Sequence, residues 1–193
     1  MINNNQKTKG FTLIEMLVSI LIFGFISVLL VNIFTSVLDT QTRILQNQGL
    51  LNQSSYALEY MSKAIRMAEK DSDGSCIGAE NAGENYATGT DSISFLTYDT
   101  KTLTYKCLKF LLDNGAIEEI RSTDENPGTT AVPITSSSVS VDDLTFNVSG
   151  DGSAEDMNQP RITIMIKMKA LPLAMYSPVL IVQTTISQRK LNI

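Results

Sequence analysis

The feature that most constrains this chain is a run of 23 residues, positions 16–38, without a single charged side chain. As an α-helix the run would rise about 34 Å at ~1.5 Å per residue, enough to cross a hydrocarbon core of about 30 Å. A chain of 193 residues then has room for one compact domain besides this segment, and not for two full cores. The remainder is polar, which makes it a tethered domain and excludes a multi-pass membrane protein.

What precedes the run narrows its role. The first ten residues, MINNNQKTKG, are polar and basic, and the sequence then turns abruptly apolar with FTLIEMLVSILIFGFISVLLVNIF. A secretory signal peptide shares the basic start, but its cut follows the apolar region at small residues. Here the apolar run continues through LLVNIFTSVL with no such site. An uncleaved signal anchor, with Lys7 and Lys9 held on the cytoplasmic side, is the plain alternative. That alternative leaves Glu15 unexplained, because a carboxylate at the centre of a membrane helix costs about 2.5–3.5 kcal/mol and calls for a partner.

The segment KGFTLIEMLVSI resembles the processing and methylation motif of type IV prepilins and pseudopilins: a basic leader ending in Gly, then Phe, then Glu as the fifth mature residue. The resemblance implies that a membrane peptidase cuts after Gly10 and methylates the new terminus, Phe11. It also implies that Glu15 neutralises the Phe11 ammonium of a neighbouring subunit in a filament core, where two isolated charges would be costly and a pair is tolerable. The implied partners are the prepilin peptidase, major and minor pilin-like subunits, an inner-membrane assembly platform, and membrane lipid before assembly. The implied location is a single pass through the plasma membrane with the domain outside the cytoplasm, and a surface or periplasmic filament after assembly.

Beyond the apolar run the pattern becomes amphipathic. Leu51, Leu58 and Ile65 recur every seven residues, with Met61 and Ala68 in the same stripe. Glu59 and Lys63 stand in the favourable i, i+4 order on another face. One helix from Thr12 to about Glu69 is expected, weakened near Gly49 by about 1 kcal/mol relative to Ala and stopped by the turn-rich DSDGSCIG. The expected divisions are a leader over 1–10, a membrane and filament-core helix over 11–38, its amphipathic continuation over 39–70, and a β-rich domain over 71–193.

The second half alternates with period two. Strands are expected over 92–98, 103–112, 116–121, 139–148 (broken or bulged at Asp142-Asp143), 161–169 and 179–187, with an Asn114-Gly115 hairpin turn and a loop over 122–133. The fold class is α+β: a long N-terminal helix packed on a C-terminal antiparallel β-sheet domain, the ladle of the pilin family. The ending IVQTTISQRKLNI is similar to the closing strand of larger minor pilins and J-type pseudopilins, although Lys190 departs from the Ser-x-Arg-Asn-like turn at Ser187-Gln188-Arg189. LNQSSYALEYMSKAIRMA resembles the amphipathic helix of such minor subunits, which favours a minor over a major subunit.

Composition excludes much else. The formal charge is −5, and loss of Lys7 and Lys9 with the leader leaves 13 basic against 20 acidic side chains, or −7. That balance does not indicate nucleic-acid binding, which needs clustered Lys and Arg. No histidine occurs, so His-based nucleophile activation and His-ligated metals are absent. Cys76 and Cys107 are expected to pair if the domain is exported, closing a loop of about 30 residues and contributing about 3–4 kcal/mol in the chain-entropy account; two buried free thiols are the alternative. The acidic stretch SGDGSAEDMNQP, with Asp151, Glu155 and Asp156, lacks calcium-loop spacing and reads as a solvated loop. Glu118 and Glu119 point to opposite faces of a strand and form no acid–base pair. Thr135-Ser136-Ser137-Ser138 has neither a glycine elbow nor a base to activate a nucleophile. No enzyme, cofactor or metal emerges. A filament-tip module that binds a surface, a secreted substrate or DNA is the alternative to a purely architectural subunit, with the loops at 71–90 and 122–137 as its candidates.

Overall fold

The computed structural model describes residues 10–122, 130–150, 159–171 and 177–189. The leader before Gly10, the acidic stretch at 151–158 and the tail from Lys190 lie outside them. The chain divides into two units, Met1–Ile44 and Leu45–Ile193.

The first unit is the N-terminal part of helix α1 (Leu13–Ile65). Its large apolar side chains are exposed, and the helix is long and apolar enough to cross a membrane. Several of its hydroxyls bond back into the helix: Ser19 Oγ donates to the Glu15 carbonyl at 2.7 Å and Ser27 Oγ to the Phe23 carbonyl at 2.8 Å. Back-bonding of this kind lets a hydroxyl face hydrocarbon, where an unmade hydrogen bond is expensive.

In the second unit the residues of α1 from Leu50 onward change solvent. Leu50, Ser54, Ala57, Met61 and Ile65 are buried, a spacing of three and four residues that faces one core. The expected stripe was therefore right at Met61 and Ile65 and wrong at Leu51, which is half exposed. Leu50, one residue earlier, takes the inward place. The helix also stops sooner than expected. After Ile65, whose carbonyl accepts the Tyr86 hydroxyl at 2.8 Å, the chain leaves the helix. Ala68–Glu69 becomes strand β1, pairing antiparallel with Thr97 and Leu96. Ladder hydrogen bonds to an open strand edge outcompete one more helical turn here.

Eight further strands follow: β2 (Ala87–Thr88), β3 (Ser92–Asp99), β4 (Thr104–Asp113), β5 (Ala116–Arg121), β6 (Ala131–Pro133), β7 (Val139–Ser149), β8 (Arg161–Ala170) and β9 (Val179–Ser187). They form two antiparallel sheets. One runs β1-β3-β4-β5-β6, with β2 also on β3, and the other runs β7-β8-β9. The six longer strands fall where the alternation placed them. The register shift between Val141 and Asp143 is the irregularity expected at Asp142-Asp143. The short strands β1, β2 and β6 were not foreseen; β6 lies within the stretch expected to be a loop.

Asn114 and Gly115 take φ of 47° and 77° between β4 and β5, the twist that a two-residue hairpin requires. Gly115 is held further by its carbonyl, which accepts the Val141 N–H at 2.8 Å and ties the turn to β7. A single core joins the elements: Met61 and Ile65 from α1, Phe95 and Phe110 from the larger sheet, and Ile162, Ile164, Ile166 and Met168 from β8.

Truncating Phe110, which is fully buried, should cost about 3–5 kcal/mol as Phe110→Ala, whereas Leu51→Ala should stay within about 0.5 kcal/mol. Denaturant titration of the full chain in detergent, followed by a probe in the β-domain, checks both. Equal costs would mean that the expected heptad, with Leu51 inside, is the true one.

Candidate functional site

The N-terminus of α1 is built by four residues, Thr12-Leu13-Ile14-Glu15. The Glu15 N–H donates to Thr12 Oγ1 at 3.3 Å, while Glu15 Oε2 accepts both the Thr12 N–H and the Thr12 hydroxyl at 2.9 Å. This reciprocal arrangement is a capping box, which satisfies donors that the first helical turn leaves without partners. The pattern Thr-x-x-Glu before an apolar run was available in the sequence, and reading Glu15 only as a membrane acid passed over it. The carboxylate also sits at the positive end of the helix dipole. Only Oε2 takes part in the box. Oε1 makes no hydrogen bond among the described residues.

Gly10 and Phe11 lie just ahead of the box, both exposed, with Phe11 82 % accessible. A Cβ built on Gly10 would meet nothing within 4 Å. No contact inside the described chain therefore demands glycine there.

Cys76 and Cys107 are joined as a disulfide with their Cα atoms 5.4 Å apart. The loop carrying Cys76 is folded by Asp71, a carboxylate only 1 % exposed. Asp71 accepts the Cys76 and Ile77 N–H groups at 2.8 and 3.0 Å. A buried carboxylate is tolerable when backbone donors replace its water, so this loop is pre-shaped around the cysteine. Sequence spacing offered no means of finding Asp71.

The remaining sequence candidates are structural. Glu118 and Glu119 do point apart; Glu119 is buried and accepts the Tyr60 hydroxyl at 2.7 Å and the Arg121 guanidinium at 2.7 Å. This triad joins the last turns of α1 to β5. Burial, then the bond to Glu119 and its charge, pushes the Tyr60 phenol up to about 12. Thr135 Oγ1 accepts the Ile117 N–H at 3.0 Å, and Ser136 and Ser138 bond each other within their turn. The Ser187-Gln188-Arg189 ending closes the domain. Gln188, buried, donates to the Ala68 carbonyl at 2.8 Å, and the Arg189 N–H donates to the Arg66 carbonyl at 3.1 Å. Among the described residues no group of three or more Cys, Asp or Glu side chains converges as a metal site.

With this geometry in place, comparison with known families finds one match. The family described as "Prokaryotic N-terminal methylation motif" matches residues 5–31, the stretch that holds Gly10, Phe11 and the Thr12–Glu15 box. No curated protein and no solved structure matches the chain. The chain thus carries the N-terminal signal of a type IV pilin-like precursor, followed by an apolar helix fit to anchor it in a membrane.

Because the folded Tyr60 pKa lies above its ordinary value of 10, its stabilising contribution is complete below pH 10 and is lost as pH rises through about 12. Tyr60→Phe should cost about 1–3 kcal/mol at neutral pH, and the gap between variant and wild type should shrink between pH 10 and 12. Denaturant titrations across that range check it; a gap constant with pH would place the cost in packing alone.

Proposed function

We infer that this protein is a subunit of a type IV filament machine, stored in the membrane by α1 and processed between Gly10 and Phe11. The observation that carries the reading is the placement of the exposed Gly10–Phe11 junction, inside the methylation motif, directly against a helix start whose Glu15 keeps one carboxylate oxygen open.

The chemistry follows from that placement. An exposed peptide bond ahead of the first helical turn can enter a peptidase groove without unwinding α1. Glycine at position 10, which no contact among the described residues requires, is what a narrow protease subsite would select. Cleavage creates an ammonium at Phe11, which methylation keeps charged. Glu15 then has two duties: Oε2 holds the helix start, and Oε1 is left to receive the Phe11 ammonium of a neighbour. Pairing the two charges lets the apolar surface of residues 16–38 leave lipid and bury against other anchors without stranding a carboxylate. The agents are the prepilin peptidase, the inner-membrane assembly platform, and major and minor pilin-like subunits.

Within this class we favour a minor pilin or pseudopilin that enters, primes or caps the filament. Support comes from the sequence likeness of the second half of α1 and of the closing strand to those of larger minor subunits. The product would be a single-pass plasma-membrane protein with its domain outside the cytoplasm, then a periplasmic or surface filament. The role so inferred is architectural and not enzymatic.

Two experiments test this. Intact mass and N-terminal sequencing after co-expression with a prepilin peptidase should find a chain beginning at N-methylated Phe11; an intact Met1 terminus beside an active peptidase would reduce the protein to a signal-anchored β-domain. Separating the two duties of Glu15 tests the mechanism. Glu15→Gln preserves the cap, since Gln also closes a capping box, but removes the charge. It should insert and be cleaved normally while losing most filament incorporation, as Glu15→Val should. Thr12→Val weakens the cap alone and should incorporate far better than either. Normal incorporation of Glu15→Gln would overturn the ammonium–carboxylate pairing.

A further inference from the structure

A groove of about 580 Å³ lies between the last turns of α1 and the face of the larger sheet that packs against the helix. Tyr60, Lys63 and Met67 form one wall. Lys106 and Leu108 of β4, with Lys101 from the β3–β4 hairpin, form the floor and the far wall. The groove is rich in cations although the chain as a whole is acidic. Its charges divide into two kinds. Lys106 is bound to Asp99 and Arg121 to Glu119, so both are committed inside the subunit. Lys63 and Lys101 are exposed and make no ion pair among the described residues. Lys63 therefore does not form the i, i+4 pair with Glu59 that its spacing allowed. Two open ammonium groups thus stand over a floor that includes the apolar Leu108.

The chain also carries the complement. Between Asp71 and Thr100 there is no Lys or Arg, while Asp73, Glu80 and Glu84 lie in the loop after β1. Asp73 and Glu80 are exposed. Their loop is pinned by Asp71 and by the Cys76–Cys107 disulfide. Lys106 and Leu108 face the groove, so Cys107 between them leaves the sheet on the opposite face. The acidic loop is consequently held away from its own groove. One protein thus presents a basic groove on one face of a sheet and an acidic loop tied by a disulfide to the other.

We propose that the groove lined by Lys63 and Lys101 receives the Asp73–Glu80 loop of a second copy of this chain, a head-to-tail contact between globular domains. Such a contact is heterologous, using two different patches, so it repeats from copy to copy and does not close into a two-fold pair. That is the symmetry a filament needs; the proposal rests on the filament-subunit reading, and it takes the subunit to enter the filament in successive copies, not as a lone cap. Each contact is weak, as exposed ion pairs are, but anchors confined to one membrane raise the effective concentration of one domain near the next. A long polyanion such as nucleic acid fits less well. Two open lysines on a chain of net negative charge supply few phosphate contacts, and the one guanidinium in the groove is taken by Glu119.

Zero-length carbodiimide cross-linking of the full, unprocessed chain in detergent micelles, read by mass spectrometry, tests the contact. Lys63 and Lys101 should couple to Asp73 and Glu80 of another copy at about 0.01 M salt and lose that coupling at about 1 M, where screening shortens to about 3 Å. K63E/K101E and D73K/E80K should each lower the cross-linked dimer roughly tenfold or more, a loss of about 1.4 kcal/mol. Mixing the two charge-reversed variants should restore it, now through lysines at 73 and 80. Dimer yield indifferent to the reversals, or failure of the mixed pair to recover, would overturn the proposal. So would coupling of Lys63 and Lys101 to an added hexaglutamate peptide with no coupling between copies, which would assign the groove to a different acidic partner. The unprocessed chain is used so that this result does not depend on cleavage at Gly10; a failed contact leaves the processing reading standing, and failed processing leaves the contact measurable.

Discussion

The structure depends on one helix serving two solvents. Before Leu45 the apolar side chains of α1 point outward all round, which suits lipid or other helices and suits water badly. From Leu50 onward only one face is apolar, and Ala57, Met61 and Ile65 disappear into a core shared with Phe95, Phe110 and the inward residues of β8. Everything that positions the domain's features is referred to this buried face. Tyr60, beside it, reaches Glu119 and packs edge-on against Phe110 with ring centroids 6.2 Å apart. Lys63, on the next exposed position, becomes one wall of the groove.

Two polar devices extend that seam. At its end, Gln188 and Arg189 return from β9 to bond the backbone at Ala68 and Arg66, so the last described residues of the chain brace the point where α1 gives way to β1. On the far side of the larger sheet, Asp71 and the Cys76–Cys107 bridge hold a loop with no repetitive structure of its own beyond one short 3-10 turn. Both replace missing hydrophobic contact with specific bonds, the usual resort where a short segment cannot bury enough apolar area to offset its ordering entropy. At the other end of α1 the Thr12–Glu15 box does the same for the first helical turn, using a residue whose charge has a second proposed use.

Much of this was legible in the residues. The apolar run, the Gly10–Phe11–Glu15 spacing, the Asn114-Gly115 turn and the six longer strands all rest on local patterns: charge absence, period two, and backbone conformations that few residues accept. The alternation of Ile162, Ile164, Ile166 and Met168 is a periodicity strong enough to state which face is buried. The failures were of another kind. Placing Leu51 inward in place of Leu50 was an error of phase, since a seven-residue repeat and the true 50-54-57-61-65 spacing differ by only one helical position over this length. Strands β1, β2 and β6 are too short for any periodicity, and they exist because β3 and β5 offer edges that can be paired.

The sequence by itself therefore determined that this protein has an N-terminal methylation motif, a helix long and apolar enough to cross a membrane and an antiparallel β-domain, because each is encoded in contiguous residues by pattern or motif. Only the tertiary structure decided which groups meet across the chain: Tyr60 with Glu119, Gln188 with the Ala68 carbonyl, and an open Lys63 in one groove with Lys101. Those pairings join residues far apart in sequence, and the register of the sheets and the phase of the helix select them. No local propensity carries that information, because the energy that chooses among such pairings comes from burying the shared core.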